Sequence, residues 1–244
     1  MERKDLHVHT AFSDGKNTPE EMVLAAIDAG LDVIGFSDHS HTAFDESWCM
    51  SVEGTADYCT EIARLKAKYC GQITVLCGIE QDYYSELPAA GYDYVIGSVH
   101  YIRAGKEYIP VDESAAILRD ASERFFGGDI YALVEEYYRT AADVVRKTGA
   151  NIIGHFDLIC KFNEQTPLFD EQHPRYRAAW QAAADALLNT GVPFEINTGA
   201  IARGYKTVPY PSGEIQAYLR ARDALFVLSS DSHDVGTLQR AIHE

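Results

Sequence analysis

The sequence predicts an α/β fold, a (β/α)7 barrel, because seven short β-rich apolar runs alternate with helical patterns along its 244 residues. Several runs are apolar almost without a break, among them VLCGI, DYVIGSV and LFVLSS, as expected of strands buried on both faces of a parallel sheet. A doubly wound open sheet is the competing fold, but no glycine-rich phosphate loop follows the first run. The predicted strands span about 5–9, 33–37, 73–79, 92–99, 151–154, 194–197 and 225–230.

Helix signals fill the segments between these runs. Thr18 is typical of an N-cap, Pro19 of the first helical position, and Glu21 completes a capping box. Gly30 is a natural C-cap for the same helix. Similar patterns predict helices over about 53–69, 129–148, 174–190 and 213–222.

We expect a single domain over residues 1–244, because no low-complexity tract or Pro/Gly-rich linker divides the chain. One connection is longer than the others: about fifty residues separate His100 from the run at Asn151, too many for a simple crossover helix. This stretch is rich in tyrosine. It predicts a helical insertion over about 101–148, above the mouth of the barrel, where long structured loops form substrate pockets.

Composition and charge exclude several classes of function. The net charge of −16 disfavours binding of long nucleic acids, although bound divalent cations would make one deep pocket attractive to a small phosphate ester. No apolar run approaches the roughly 18–20 residues of a membrane span, and the start lacks the pattern of a secretory signal. Five cysteines without a CxxC pair suggest neither a disulfide framework nor a thiolate zinc site. We therefore expect a cytoplasmic protein.

Histidines and carboxylates recur at the carboxyl ends of the predicted strands. His7 and His9 are two residues apart on the first strand, so their side chains share a face. In a parallel barrel all strand carboxyl ends open on the same side, so residues distant in sequence converge there. The predicted cluster consists of His7, His9, His39, Glu80, His100, His155, Asp231 and His233.

This cluster predicts a site for two or three divalent metal ions. Imidazole and carboxylate are ligands that suit zinc, iron and manganese. Six histidines and two carboxylates exceed the three or four protein ligands of one catalytic zinc, and Glu80 is placed to bridge two ions. A lone histidine at a strand end is more often a hydrogen-bonded structural residue, and we assign His41, His173 and His243 to that class.

The ordered motifs DLHVHTAFSDG, FSDHS, GIE, SVH, GHFD and SDSH resemble those of the polymerase-and-histidinol-phosphatase (PHP) superfamily over about residues 5–235. The stretches SVHYI, GGDIYALVEEYY, IIGHFDLICKF and EINTGAIARG are similar to its histidinol-phosphatase branch. The resemblance implies a distorted, TIM-like seven-stranded barrel with hydroxide attack at a trinuclear metal centre. The implied substrate is L-histidinol phosphate, an intermediate of histidine biosynthesis.

Carried over by position, the resemblance implies three ion sites, of which the first two share Glu80, with Asp14 of the Ser-Asp-Gly turn as a ninth ligand. Ser-Asp-Gly is also a plain turn signal. The first site would use His7, His9, Glu80 and Asp231; the second Glu80, His100 and His155; the third His39, His233 and Asp14.

Two features depart from the family pattern. Many family members carry arginine in the segment after GHFD, where this chain has Cys160 and Lys161. Lysine supplies the charge but no bidentate fork. The chain also stops at Glu244, soon after SDSH, where family members continue through a closing helix. We therefore expect a shortened C-terminus.

The predicted proton donors and phosphate contacts follow from the position of each residue along the chain. Asp231 and His233 are alternative proton donors to the leaving alcohol. Arg203, in a glycine-bounded loop after the sixth strand, is the main candidate for contact with the substrate phosphate, and Lys161 is the second. For Glu195 we expect a structural hydrogen bond rather than a catalytic role.

The leaving group of histidinol phosphate is cationic, so we expect an acidic wall formed by Asp112, Glu113 or Glu107 of the insertion. The tyrosines of the insertion either shape this pocket or pack its helices. Three other functions stay open: hydrolysis of another small phosphate ester (a nucleotide, cyclic phosphate or phosphotyrosine), metal binding without turnover, and amide hydrolysis.

Overall fold

Seven parallel strands form one sheet in the order β1-β2-β3-β4-β7-β8-β9, and two further strands form a separate hairpin. The structure is a computed structural model that describes residues 2–241, with side chains described to residue 238; His243 lies outside the described residues. In chain order the strands are β1 (Lys4–Asp5), β2 (Val33–Phe36), β3 (Thr74–Asp82), β4 (Tyr94–Ser98), β5 (Tyr101–Ala104), β6 (Glu107–Pro110), β7 (Ile152–Ile153), β8 (Phe194–Asn197) and β9 (Phe226–Ser229).

The two edges of the seven-stranded sheet meet, so that the barrel is nearly closed. A parallel bridge joins Val8, beyond β1, to Ser232, beyond β9. In it the His9 amide donates to the Ser232 carbonyl at 2.8 Å, and the Ser232 amide donates to the His7 carbonyl at 3.2 Å. The predicted first strand is therefore interrupted, because only Lys4–Asp5 pairs regularly with β2. The predicted barrel is confirmed.

The helices largely match the predicted segments. In α1 the predicted capping box is confirmed: the Thr18 hydroxyl accepts from the Glu21 amide, and the Glu21 carboxylate accepts from the Thr18 amide. The prediction of one helix over 129–148 is wrong, because two helices fill it. The bounds are α1 (Pro19–Asp28), α2 (Val52–Lys68), α3 (Ala115–Phe126), α4 (Ile130–Ala141), α5 (Val144–Thr148), α6 (Pro174–Leu188), α7 (Gly199–Ala202), α8 (Gly213–Arg220) and α9 (Val235–Ala241). No helix in the described residues is long and apolar enough to cross a membrane.

The insertion between β4 and β7 is only partly helical. It begins with the antiparallel hairpin β5–β6, in which Ile102 pairs with Ile109, both buried. Helices α3, α4 and α5 follow. The predicted helical insertion is therefore found from residue 115 on, whereas its first part, residues 101–110, is a hairpin that was not predicted. The hairpin buries alternate residues, a period of two that such short strands display only weakly in sequence.

Aromatic packing fills the barrel beneath the predicted site. The Tyr94 hydroxyl lies 2.6 Å from the Leu6 carbonyl oxygen and 2.9 Å from that of Phe36. Its ring lies so close to β3 that a Cβ at Gly78 would be 2.2 Å from it. Because the interior is packed, the space available to a ligand lies above the strand carboxyl ends.

Candidate metal centre

The predicted ligands converge at the carboxyl ends of the barrel strands. His7 and His9 flank the Val8 bridge beyond β1, and a bridge between His39 and Glu80 continues the pairing of β2 with β3. The segments after β4, β7 and β9 supply the others, while Asp14 comes from the turn after His9. We call the nine side chains the floor of the site: His7, His9, Asp14, His39, Glu80, His100, His155, Asp231 and His233.

Glu80 lies at the centre of the floor. Its Oε2 lies 2.8 Å from Nδ1 of His39 and 3.3 Å from Nε2 of His7. Its Oε1 lies 2.8 Å from Nε2 of His155 and 3.3 Å from Nε2 of His100. Nε2 of His9 also lies 3.5 Å from Oε2. Both oxygens of one carboxylate thus face several imidazoles, which is an arrangement suited to a bridging ligand.

Two further carboxylates lie at the side of the floor near His9. The Asp231 Oδ1 atom lies 3.4 Å from Nε2 of His9. The Asp14 Oδ2 atom lies 3.2 Å from Nε2 of His233, and its Oδ1 lies 3.6 Å from Nε2 of His39. Asp231 has a backbone φ of 52°, a left-handed conformation that aspartate tolerates better than most residues. The turn residue Asp14 is thus brought to the cluster as the resemblance implies.

The donor set fits divalent cations. Four groups have ligand atoms within 4.8 Å of one another: His9, Asp14, His39 and His233; His7, Glu80 and His155; His7, His9 and Asp231; His39, Glu80 and His100. Several buried ligand atoms lack a hydrogen-bond partner within the described chain. They are both ring nitrogens of His9, Nε2 of His7 and Oε2 of Glu80. Such atoms are costly in a folded protein unless a ligand satisfies them. Because the groups share residues, their number does not give the number of ions.

At Glu80 and His9 the electrostatic environment favours the protonation states that bind metals. Burial alone would raise the pKa of Glu80, but His7, His39 and His100 hold it well below its usual value. Burial, reinforced by two neighbouring imidazoles, lowers the pKa of His9 well below its usual value. A carboxylate and a neutral imidazole are the forms that coordinate a cation.

Two acidic side chains hold floor histidines from behind. Nδ1 of His7 lies 2.5 Å from Oε1 of Glu195, and Nδ1 of His100 lies 3.2 Å from Oδ2 of Asp82. A carboxylate at Nδ1 fixes the tautomer and leaves Nε2 for a metal. Glu195 also accepts from the His155 amide at 2.8 Å, so its predicted structural hydrogen bonding is confirmed. Asp82 was missed, although its position two residues after Glu80 on β3 was an available signal.

Charge balance at His7 reflects this contact. Burial alone would lower the pKa of His7, but Glu195, Glu80 and Asp231 outweigh burial and raise it well above its usual value. Glu195 itself is desolvated, yet His7 lowers the pKa of its carboxyl. The three carboxylates therefore surround His7 with negative charge, which favours cations at the floor.

Asp38 holds the turn that carries Asp14. Its carboxylate accepts from the Thr10 amide at 2.8 Å, the Thr10 hydroxyl at 2.9 Å and the Ser13 hydroxyl at 2.6 Å. The turn is so tight that a Cβ at Gly15 would lie 2.6 Å from the Thr10 nitrogen. Asp38 was not predicted, although it immediately precedes His39.

A cavity of about 470 Å³ opens above the floor. Both predicted phosphate contacts line it, and each already has a partner. Arg203 Nη2 lies 2.8 Å from Oδ2 of Asp231, and Nη1 lies 2.9 Å from Nδ1 of His233. The Lys161 ammonium donates to the Asp112 carbonyl at 2.8 Å and lies 3.3 Å from Oδ2 of Asp112.

One side of the cavity is formed by loop 42–50 and the insertion. We call this side the wall; it consists of Asp45, Ser47, Trp48, Tyr101, Pro110, Asp112 and Glu113. The expected acidic residues Asp112 and Glu113 belong to it, whereas Glu107 borders a separate surface depression, so its predicted role is wrong. Glu113 is exposed and makes no hydrogen bond or ion pair with any described residue. Trp48 and Asp45 were not predicted.

The other tyrosines of the insertion mainly pack. Tyr137 and Tyr138 are buried in the larger hydrophobic cluster, and Tyr108 stacks on Phe44 with ring centroids 3.8 Å apart. Only Tyr101 of the insertion's tyrosines lines the cavity. Both alternatives for these side chains therefore apply, to different residues.

The histidines assigned to structural roles lie away from the floor. Nδ1 of His41 lies 3.2 Å from the Met50 carbonyl oxygen. His173 is the N-cap of α6, where its ring accepts from the Arg175 amide, and it stacks on Tyr131. The structural assignment of these two histidines is confirmed.

The PHP domain family matches residues 5–199 of the chain. A protein of Deinococcus radiodurans named "Probable histidinol-phosphatase" is 30% identical over 95% of this chain and 86% of its own length. Because the match covers most of the chain, the protein belongs to the PHP domain family.

Two crystal structures share the fold. That of hisK from Listeria monocytogenes superposes with a TM-score of 0.81 at 20% identity, covering 98% of both chains. That of histidinol phosphate phosphatase from Lactococcus lactis, complexed with zinc, L-histidinol and phosphate, gives a TM-score of 0.66 at 22% identity, covering 99% of this chain and 93% of the other. Both similarities establish the architecture of the barrel.

Proposed function

We propose that this protein is a metal-dependent phosphatase that hydrolyses L-histidinol phosphate. The observation that carries the proposal is the floor itself: nine potential ligands, with the buried carboxylate of Glu80 at their centre, in a cavity that basic side chains also line. A cavity of this volume is large enough for a small organic phosphate. The relative from Deinococcus radiodurans supports the choice of substrate.

Our proposal places up to three divalent ions on the floor, zinc, iron or manganese, with Glu80 shared between two of them. The group of His7, His9 and Asp231 supports one site, and the groups that contain Glu80 support the second. His9, Asp14, His39 and His233 support the third. His7, His9 and His39 each occur in two groups, so their assignment to one ion is part of the proposal.

Phosphate monoesters resist hydrolysis because the phosphoryl group is strongly charged and water is a weak nucleophile. Divalent ions bound at the floor would supply positive charge to the phosphoryl oxygens and lower the pKa of a water molecule toward neutrality. The side chains behind the ligands keep this arrangement rigid. Glu195 and Asp82 orient His7 and His100, and Asp38 fixes the turn of Asp14.

Arg203 and Lys161 are the proposed phosphate contacts. Arg203 supplies a planar fork that matches phosphate geometry, whereas Lys161 supplies a single ammonium group. Arg203 is already paired with Asp231. Its guanidinium has five N–H groups, so it can keep that pair and still donate to a phosphoryl oxygen.

The leaving alcohol needs a proton as its bond to phosphorus breaks. Asp231 and His233 both line the cavity, and either is placed to supply that proton in our proposal. Burial alone would lower the pKa of His233, but Asp14 and Asp231 outweigh burial and raise it. Burial alone would raise the pKa of Asp231, but Arg203 and His7 hold it well below its usual value. Because both residues are also proposed metal ligands, they stay alternative donors.

We further propose that the protein acts in the cytoplasm. All five cysteines are free thiols, as is usual in a reducing compartment. The proposed partner is the small phosphorylated substrate.

Phosphate release tests the function. Protein of known metal content is assayed on L-histidinol phosphate, a nucleoside monophosphate, a cyclic nucleotide, phosphotyrosine and O-phosphoethanolamine. We expect kcat/KM on L-histidinol phosphate to exceed that on every other ester by at least about tenfold. Equal rates on all esters would indicate a general phosphatase instead. No phosphate release from any ester would indicate a protein that binds metal without turnover.

A further inference from the structure

Trp48 is the largest side chain of the wall, and its position is fixed on two sides. Its ring centroid lies 4.5 Å from that of His39, with an interplanar angle of 77°, and 5.2 Å from that of His100, at 62°. The indole is only partly buried and lines the cavity. Trp48 therefore lies between the floor and the space above it.

A chain of hydrogen bonds anchors this indole. Trp48 Nε1 donates to the Tyr101 hydroxyl at 2.7 Å, and that hydroxyl donates to Oδ2 of Asp45 at 2.7 Å. The Ser47 hydroxyl donates to the other oxygen of Asp45 at 2.6 Å. These bonds tie loop 42–50 to strand β5 of the insertion and orient the indole.

The same bonds determine what Trp48 offers to a ligand. Indole has a single polar hydrogen, and Tyr101 already accepts it. What remains is an apolar aromatic surface with a negative π face, which attracts flat rings and cations. The same cavity is lined by the exposed carboxylate of Glu113, which has no partner among the side chains described, those of residues 2–238. Asp112, in contrast, is paired with Lys161.

We propose that Trp48 is the specificity-determining residue for the leaving group: the planar imidazole ring of the alcohol packs on its indole. Tyr101 and Asp45 are positioning residues that hold the indole in place. Glu113 supplies the unpaired negative charge for the ammonium group of the same alcohol. The inference rests on the proposed function, and it names the residue that separates L-histidinol phosphate from esters without a ring.

The experiment compares two esters in a set of variants. L-Histidinol phosphate has both a ring and an ammonium group, whereas O-phosphoethanolamine has the ammonium group alone. The variants are Trp48→Phe, Trp48→Leu, Trp48→Ala and Tyr101→Phe. Trp180→Phe is the matched control, because Trp180 is buried in α6 away from the cavity.

We expect the ratio of kcat/KM between the two esters to fall about tenfold in Trp48→Leu and Trp48→Ala. Trp48→Phe keeps an aromatic ring, and Tyr101→Phe keeps the indole but removes the acceptor of its N–H. In each of these two variants the ratio should therefore fall only about threefold. The control should keep the wild-type ratio. Calorimetric binding of the product L-histidinol should weaken in the same order, which tests the contact without turnover.

The outcomes separate the inference from the proposed function. Wild-type protein without preference for L-histidinol phosphate contradicts the proposed function, and the inference with it. A wild-type preference that Trp48→Leu retains overturns the inference alone. An equal loss on both esters, with reduced metal content, also overturns it, because Trp48 would then only support His39 and His100. If Trp48→Ala does not fold, the comparison of Trp48→Leu with Trp48→Phe still decides.

Discussion

The floor and the wall of the cavity are built in different ways. Eight of the nine floor residues lie at or just beyond the ends of parallel strands, and four acid–imidazole contacts of 2.8–3.3 Å converge on Glu80. The wall comes from loop 42–50 and the insertion, which meet through the bonds of Trp48, Tyr101 and Asp45. Barrel geometry determines the floor, whereas contacts between distant segments determine the wall.

This difference assigns separate tasks to the two regions. The floor presents buried nitrogen and carboxylate ligands, which suit cations and the phosphoryl group common to all phosphate esters. The wall presents aromatic rings and partly exposed acids, which suit the variable part of the substrate. Changes to the floor should therefore affect all esters alike, and changes to the wall should affect them unequally.

Removal of the metal should have the largest effect. Dialysis against a chelator should abolish phosphate release from every ester, because the histidines and Glu80 alone cannot neutralise the phosphoryl charge. Zinc or manganese should restore it. The unfolding temperature should fall by several degrees on removal, since ions that bind only the folded state stabilise it. Full activity in protein shown to be free of metal would contradict the role of the floor.

Glu80→Gln should come next. The substitution removes a charge shared by two ligand groups, and we expect kcat to fall about 10³-fold on every ester tested. Elemental analysis should show fewer bound ions per chain. Glu53→Gln is the control, because Glu53 is exposed in the first turn of α2. If kcat fell on L-histidinol phosphate alone, Glu80 would instead contribute to recognition of the leaving group, the role we give to the wall.

The residues behind the ligands should have a smaller effect. In Glu195→Gln and Asp82→Asn we expect metal affinity to fall about 10- to 100-fold, because His7 and His100 lose the acceptors that orient them. Competition with a chelating dye measures this affinity. Saturating metal should restore most of the activity. If saturation restores none of it, these acids act in the reaction itself.

The phosphate contacts should give a graded result. Arg203→Lys should lower kcat/KM about tenfold, because the fork is lost while the charge is kept. Lys161→Met should lower it about threefold, because Lys161 is largely engaged by Asp112. Both losses should be the same for all esters. Steady-state kinetics on L-histidinol phosphate and O-phosphoethanolamine measures them, and a larger loss in Lys161→Met would reverse the assignment.

The floor could be predicted from sequence because few rules govern it. His7 and His9 share a face through the period of a strand, and strand order in a barrel brings Glu80 to the residues after β4 and β7. Asp14 was predicted from the resemblance to the family motifs. Asp82 follows Glu80 by two residues on β3, the same spacing as His7 and His9, so it could have been predicted as well.

The wall could not be predicted in this way. Trp48 and Tyr101 are 53 residues apart, and nothing in either segment indicates that they meet. The hairpin β5–β6 has strands of only four residues each. Its alternation of apolar and polar residues is therefore too short to be told apart from that of an irregular segment. Glu107 was assigned to the wall from its position alone, but the turn of this hairpin carries it to a different surface.

The most direct test of the floor is an anomalous diffraction measurement on crystals grown with zinc. We predict more than one anomalous peak among the nine floor residues, with Glu80 contacting two ions at about 2.0–2.2 Å. A single ion, or ions that leave Glu80 uncoordinated, would contradict the account of a shared carboxylate at the centre of the site.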